Sequence, residues 1–159
     1  MRIATLLIAC VSLLIGSPAA EAKGDKAKYI GGTLKNLMED TDFEFDTTGE
    51  TVGVLAWKKH KSNPAGSLEL PYKSIESIEY GQKAGRRVGV AIAITPLALL
   101  SKKRKHFLTI GFRDADNKPQ GVVVEIPKGT AKKMITILEV RSGKEVEYES
   151  EKAKKHVHG

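Results

Sequence analysis

Between Glu79 and Asp114 the chain carries no carboxylate, while eight Lys and Arg residues stand there, one more than the formal net charge of +7 of all 159 residues. Lys83, Arg86 and Arg87 precede a thirteen-residue uncharged apolar run from Val88 to Leu100, and Lys102, Lys103, Arg104 and Lys105 follow it. Ammonium and guanidinium groups attract phosphates and carboxylates, and the aliphatic side chains between them leave water when a surface receives them. That combination is the chemistry of attachment.

Residues able to make or break bonds are sparse by comparison. No HExxH, GxSxG, Walker loop or GxGxxG is present, and Gly143-Lys144 runs into Glu145 without the upstream glycine. Asp114-Ala115-Asp116 begins like a calcium loop, but Lys118 and Pro119 occupy the next ligand and glycine positions, so the segment reads as a hairpin turn. Asp40, Asp42, Glu44 and Asp46 alternate as on the solvated face of a strand. His60 and His106 sit among lysines and read as parts of solvated basic loops, and His156 and His158 have no companion ligands in sequence. Ser101 near His106 lacks the third group that would orient a base. The chain is therefore expected not to be an enzyme, with no catalytic residue, cofactor or metal site.

Length limits what the apolar run can be. As a helix, Val88 to Leu100 would span roughly 20 Å, short of the ~30 Å hydrocarbon core. Basic residues on both flanks also fail to orient a span, so the chain is expected to leave and return on one side. Val88, Val90, Ile92 and Ile94 alternate with Gly89, Ala91, Ala93 and Thr95, which suits a strand; a helix is the alternative, and Pro96 favours a break at Thr95 in either. Three roles stay open: a core element of the domain, a membrane-surface element, or a patch for a protein partner. The contact residues for the last two are Arg86, Arg87, Leu97, Leu99, Leu100, Lys102, Lys103, Arg104 and Lys105. A secondary basic loop is expected at Lys58, Lys59 and Lys61.

At the start, Met1-Arg2 is followed by the apolar stretch Ile3 to Ile15, then Gly16, Ser17, Pro18 and Ala20-Glu21-Ala22. This is the layout of a signal peptide over residues 1–22, and it predicts an exported, periplasmic or secreted protein associated with a membrane through its insert. Leu7-Ile8-Ala9-Cys10 resembles a bacterial lipidation box, but the apolar stretch continues beyond the only cysteine, which disfavours attachment there. Loss of Cys10 on cleavage also excludes a disulfide framework.

The remaining elements must position the insert. Residues 23–28 read as a flexible segment and 29–143 as one domain, for which a 41% hydrophobic content is enough for a core. Short strands are expected around Phe43 and Phe45, from Val52 to Trp57, at Leu68 and Leu70, and at Ile75, Ile78 and Tyr80. Leu108, Ile110 and Phe112 with Val122, Val124 and Ile126 predict a hairpin. Ala131, Met134, Ile135 and Leu138 share one helix face, with Thr130 as N-cap and Gly143 as the stop. Residues 144–159 are charged, lack an apolar period and read as a disordered tail. The fold class expected is mostly β: a small antiparallel curved sheet or partly open barrel, capped by one C-terminal amphipathic helix and carrying a basic–apolar–basic insertion at 81–106.

Leu70-Pro71-Tyr72-Lys73-Ser74-Ile75-Glu76-Ser77-Ile78 resembles the I-P-Y-x-x-I-x-x-I strand of pleckstrin-homology-like domains, in particular the bacterial and GRAM-type members. The hairpin Phe107 to Ile126 and the helix Thr130 to Ser142 fall where that family's last strands and C-terminal helix lie, so the resemblance covers roughly Tyr29 to Gly143. Exported bacterial proteins that share the insert are similar as well. The resemblance implies binding, of lipid headgroups or peptides, and not catalysis. It does not transfer a headgroup site: Lys58, Lys59 and Lys61 follow the second expected strand, whereas family members that bind phosphoinositides use the loop after the first. Expected partners are an anionic lipid surface or an acidic protein, with a second copy of the chain as the alternative for an assembly role. Nucleic acid is disfavoured by export and by a 6% aromatic content that leaves few stacking platforms.

Overall fold

A computed structural model describes residues 24–34, 37–59, 64–82 and 105–158. Phe43 and Phe45 point one way and Glu44 the other in β2 (Asp42–Asp46), which pairs with β1 (Asp25–Gly32) and β3 (Val52–Trp57); β4 (Gly66–Pro71) pairs with the far side of β3. A 3-10 turn, Tyr72–Ser74, leads into β5 (Ile75–Gly81), and β6 (Phe107–Arg113) and β7 (Pro119–Glu125) complete a second meander. The two meanders meet because β7 pairs antiparallel with β1. The described strands form one eight-stranded open sheet in the order β4-β3-β2-β1-β7-β6-β5-β8.

Alternation sends Tyr29, Phe43, Phe45, Leu55, Ile78, Tyr80, Leu108, Ile110, Val122 and Val124 into one core. Helix α1 (Lys128–Ser142) buries Ala131, Met134, Ile135 and Leu138 against it, the face its spacing predicts. Gly143 ends the helix in the left-handed conformation, φ 69°, and its N–H donates to Glu139 O. A bulge between Tyr29 and Gly31 in β1 is followed by Gly32 at φ 151°, where a Cβ would stand 2.3 Å from Gly121 O.

Three expectations need correction. Residues 25–28 are part of β1, not a flexible segment: Lys26 and Lys28 alternate with the buried Ala27 and Tyr29, and opposite them stand Glu44 and Asp42. The charged end is not a tail. It forms β8 (Val146–Tyr148), parallel to β5, and a second helix, α2 (Glu151–His158), which buries Ala153 and Val157 one helical turn apart. So few apolar residues gave no period to read, yet they are the ones that dock. Finally, α1 starts after Pro127 with no side-chain cap, and Thr130 lies inside its first turn, its hydroxyl donating to Pro127 O at 2.9 Å.

At the other end of α1 the Arg141 guanidinium donates to Thr47 O, Gly49 O and, at 3.1 Å, to the Tyr72 hydroxyl, and lies 5.4 Å from the Tyr72 ring centroid. One side chain thus ties the helix to the β2–β3 turn and to the corner between β4 and β5. Arg141→Ala is expected to destabilise the fold by about 1–3 kcal/mol, since a charged donor is lost and its acceptors are left in place. Arg141→Lys should recover only part of this in urea unfolding, because an ammonium keeps the charge and donors but lacks the flat guanidinium that lies over the Tyr72 ring.

Candidate functional site

The insert is a connection between two adjacent antiparallel strands. The β5–β6 register runs as far as Gly81 opposite Phe107, so Gln82 and His106 stand side by side where the chain leaves and rejoins the sheet. Cα atoms paired in this way lie about 4.5–5.5 Å apart. Both edges of the neck are held: the Gln82 N–H donates to Glu149 Oε2 at 2.7 Å, and the Lys105 ammonium donates to Glu125 Oε2 at 2.7 Å.

Of the nine residues expected to contact a membrane or partner, only Lys105 falls within the described residues, and it is engaged by Glu125. Arg86, Arg87, Leu97, Leu99, Leu100, Lys102, Lys103 and Arg104 lie outside them. In the secondary loop Lys58 and Lys59 are exposed and Lys61 lies outside. Lys58 and Lys59 border a groove of about 490 Å³ that Lys26, Asp42, Glu44 and Trp57 also line. Two carboxylates among the lysines give the groove no single sign of charge. The Trp57 indole stacks on Phe43 at 5.3 Å and donates to Pro64 O, which fixes one wall.

Sequence reasoning missed what stands at the neck. His106, expected in a solvated basic loop, is buried at 8% exposure. Its Nδ1 is 2.7 Å from the Tyr80 hydroxyl, and its ring stacks on that of His156 at 4.6 Å between centroids and 11° between planes. Tyr148 meets Tyr80 edge-on, and its hydroxyl is 2.8 Å from His158 Nε2. Three of the chain's four histidines therefore gather within one cluster. The only signal in the sequence was the recurrence of His and Tyr beyond Gly143, which says nothing of position until β8 is paired with β5.

The electrostatics of the cluster favour uncharged groups. Burial, then the Tyr148 hydroxyl, pushes the Tyr80 phenol up to about 12, so it stays a donor and can donate to His106 Nδ1, leaving the ring proton on Nε2. Burial holds His106 below its ordinary value, helped by His156 and Lys128 and opposed by Glu125. Among the described residues no group of three or more His, Cys, Asp or Glu is placed to hold a metal ion. Nor is any described helix long and apolar enough to cross a membrane. No protein-family model matches the chain, and no curated protein aligns with it significantly.

Tyr80→Phe is expected to cost about 1–3 kcal/mol by leaving His106 Nδ1 buried without its hydroxyl, read from urea unfolding above pH 7.5. A histidine whose folded value is depressed binds fewer protons folded than unfolded. Stability should therefore be level above the ordinary value of 6.5 and fall as pH drops below it, until the folded ring also titrates. His106→Gln should flatten that limb of the stability profile.

Proposed function

We propose that this protein is a non-enzymatic binding module of the bacterial envelope, built on a pleckstrin-homology-like scaffold, that attaches to an anionic membrane surface through the insert 81–106. The observation that carries the reading is the neck. A carboxylate-free segment with basic flanks leaves the sheet after Gly81 and rejoins it before Phe107, at adjacent positions on one end of the sheet, which supports a shared attachment role for the two flanks. On an anionic surface each nearby Lys or Arg adds about 1 kcal/mol, and a fully buried Leu or Ile contributes roughly 1.5–3 kcal/mol. An acidic protein surface would use the same cations without needing the leucines. The scaffold reading is supported by the succession of four strands, a turn at Tyr72, three strands and a capping helix, which follows the order the family resemblance implies.

A second reading has its own observation. Thr109 pairs with Glu79 on one side and Val123 on the other, a row that alternation turns away from the main core. Yet Glu79, Thr109 and Val123 are buried, as are Ile30 and Phe107, all apart from the core under α1. An outward row buried to this degree, beside the neck, favours an insert that packs on its own sheet or on a second copy, in a structural or assembly role.

Co-sedimentation of the full chain with anionic vesicles at low salt separates the two. Attachment predicts binding that falls at least tenfold in Leu97→Asp plus Leu99→Asp and weakens with added salt. If the unsubstituted chain does not bind and the same pair of substitutions lowers the unfolding midpoint or breaks an oligomer seen by light scattering, the structural reading takes its place.

A further inference from the structure

The segment that carries two of the clustered histidines is lightly held. Its parallel ladder to β5 is three residues long, pairing Val146 with Ile78, Glu147 with Glu79 and Tyr148 with Tyr80. Beyond that, the Glu149 N–H donates to Tyr80 O at 3.0 Å, the Val146 N–H donates to the Glu139 carboxylate at 3.0 Å, and Glu149 accepts from Gln82. Helix α2 has eight residues, too few to persist in water unless it is docked, and it docks through Ala153, Val157 and the His156 ring.

We propose that residues 146–158 form a pH-released strap over the neck: uncharged His106 and His156 stack and hold β8 and α2 on the β5 edge, and protonation drives the strap off. This inference does not depend on what the insert attaches to. Beside the stacked rings stand the Tyr80 hydroxyl from β5, Lys128 from α1 and Glu125 from β7, while on the strap itself Tyr148 meets the Tyr80 ring and Glu149 holds the Gln82 amide. The carboxylate facing His106 is Glu125, and it already serves Lys105. A positive charge on each ring would thus place like charges face to face at the separation of the stack, with Lys128 adding to them. His156 Nε2 is buried and has no hydrogen-bond partner among the described residues, so a proton gained there finds no acceptor while the strap is docked. Release hydrates both rings and relieves all of these contacts at once. It also frees the Gln82 amide and uncovers the backbone of β5, so the base of the insert loosens with the strap.

Amide hydrogen exchange of the full chain between pH 5 and 7.5, corrected for intrinsic rates, tests this. Protection of the Glu149 amide reports the docked-to-released ratio and should fall by up to about tenfold per pH unit below 6.5 for each proton taken up on release. Protection in β6 and β7 should not follow it. His156→Phe keeps an aromatic ring in the stack without the charge and should reduce the slope. A flat profile in the unsubstituted chain, or an unchanged slope in His156→Phe, overturns the proposal. Should that variant leave the strap undocked at every pH, the ring resonances of His106 in the unsubstituted chain decide: this ring must titrate together with the loss of Glu149 protection, and its titration with protection intact overturns the proposal equally.

Discussion

The pairing of β1 with β7 is the constraint on which the architecture rests. Strands β2 to β4 form one antiparallel meander and β5 to β7 another, and each alone would present a half-buried face and two open edges. Strand β1 completes both, bonding β2 through Asp25 to Lys28 and β7 through Lys28 to Gly32. Its bulge at Tyr29 to Gly31 falls just after the β2 ladder ends at Lys28, within the β7 ladder, and the extra residue bends the chain and increases its twist there. This joins residues almost a hundred positions apart, so its closure entropy must be offset by the aromatic and aliphatic side chains the two meanders then share. Tyr29, stacked on Phe43 at 5.6 Å and paired with Val124, sits at that junction.

A sheet organised in this way leaves two edges, and the chain treats them differently. The β4 edge is short and ends at Pro71, which lacks the N–H that would extend a ladder, and Arg141 fastens α1 to the adjoining Tyr72. The β5 edge is covered by β8, a strand that must run parallel because the chain returns to it from α1. Parallel pairing over three residues is a weak cover, and the side chains beside it decide how firmly it holds. This is why the histidine cluster matters to the fold as well as to the neck it stands against.

How much of this was legible follows from how many apolar residues each element carries. Strands β2 to β7 and α1 announce themselves through Phe43 and Phe45, Leu108 to Phe112, Val122 to Val124 and the Ala131 to Leu138 stripe, where alternation or helical spacing is dense. Strand β1 offers Lys26 and Lys28 on its outward face and an irregular bulge, and α2 offers only Ala153 and Val157 among five charged or histidine residues after Glu151. Their structure is set by partners distant in sequence, which no local pattern contains. The cluster at the neck was hidden for the same reason: Tyr80, His106 and His156 become neighbours only through the β5–β6 register and the β5–β8 ladder. Lys105 illustrates the converse, since a local run of basic residues cannot show that Glu125 on the next strand but one turns out to hold one member of it.

Charge at the neck is arranged by depth. Glu125 and Glu149 sit at its edges and bind Lys105 and the Gln82 amide, while deeper, between β5, β6 and α2, the side chains are phenols and imidazoles. An aliphatic filler in the same space would bury more apolar surface and would not respond to pH. A Lys–carboxylate pair would respond only at the extremes of pH and would bear a desolvation penalty of several kcal/mol per ion. Stacked imidazoles fall between these: uncharged they pack as flat rings beside Tyr80, and charged they repel. The choice of side chain at His106 and His156 therefore makes the attachment of the C-terminal segment conditional, whereas the ladders on the other side of Tyr80 remain indifferent to protons.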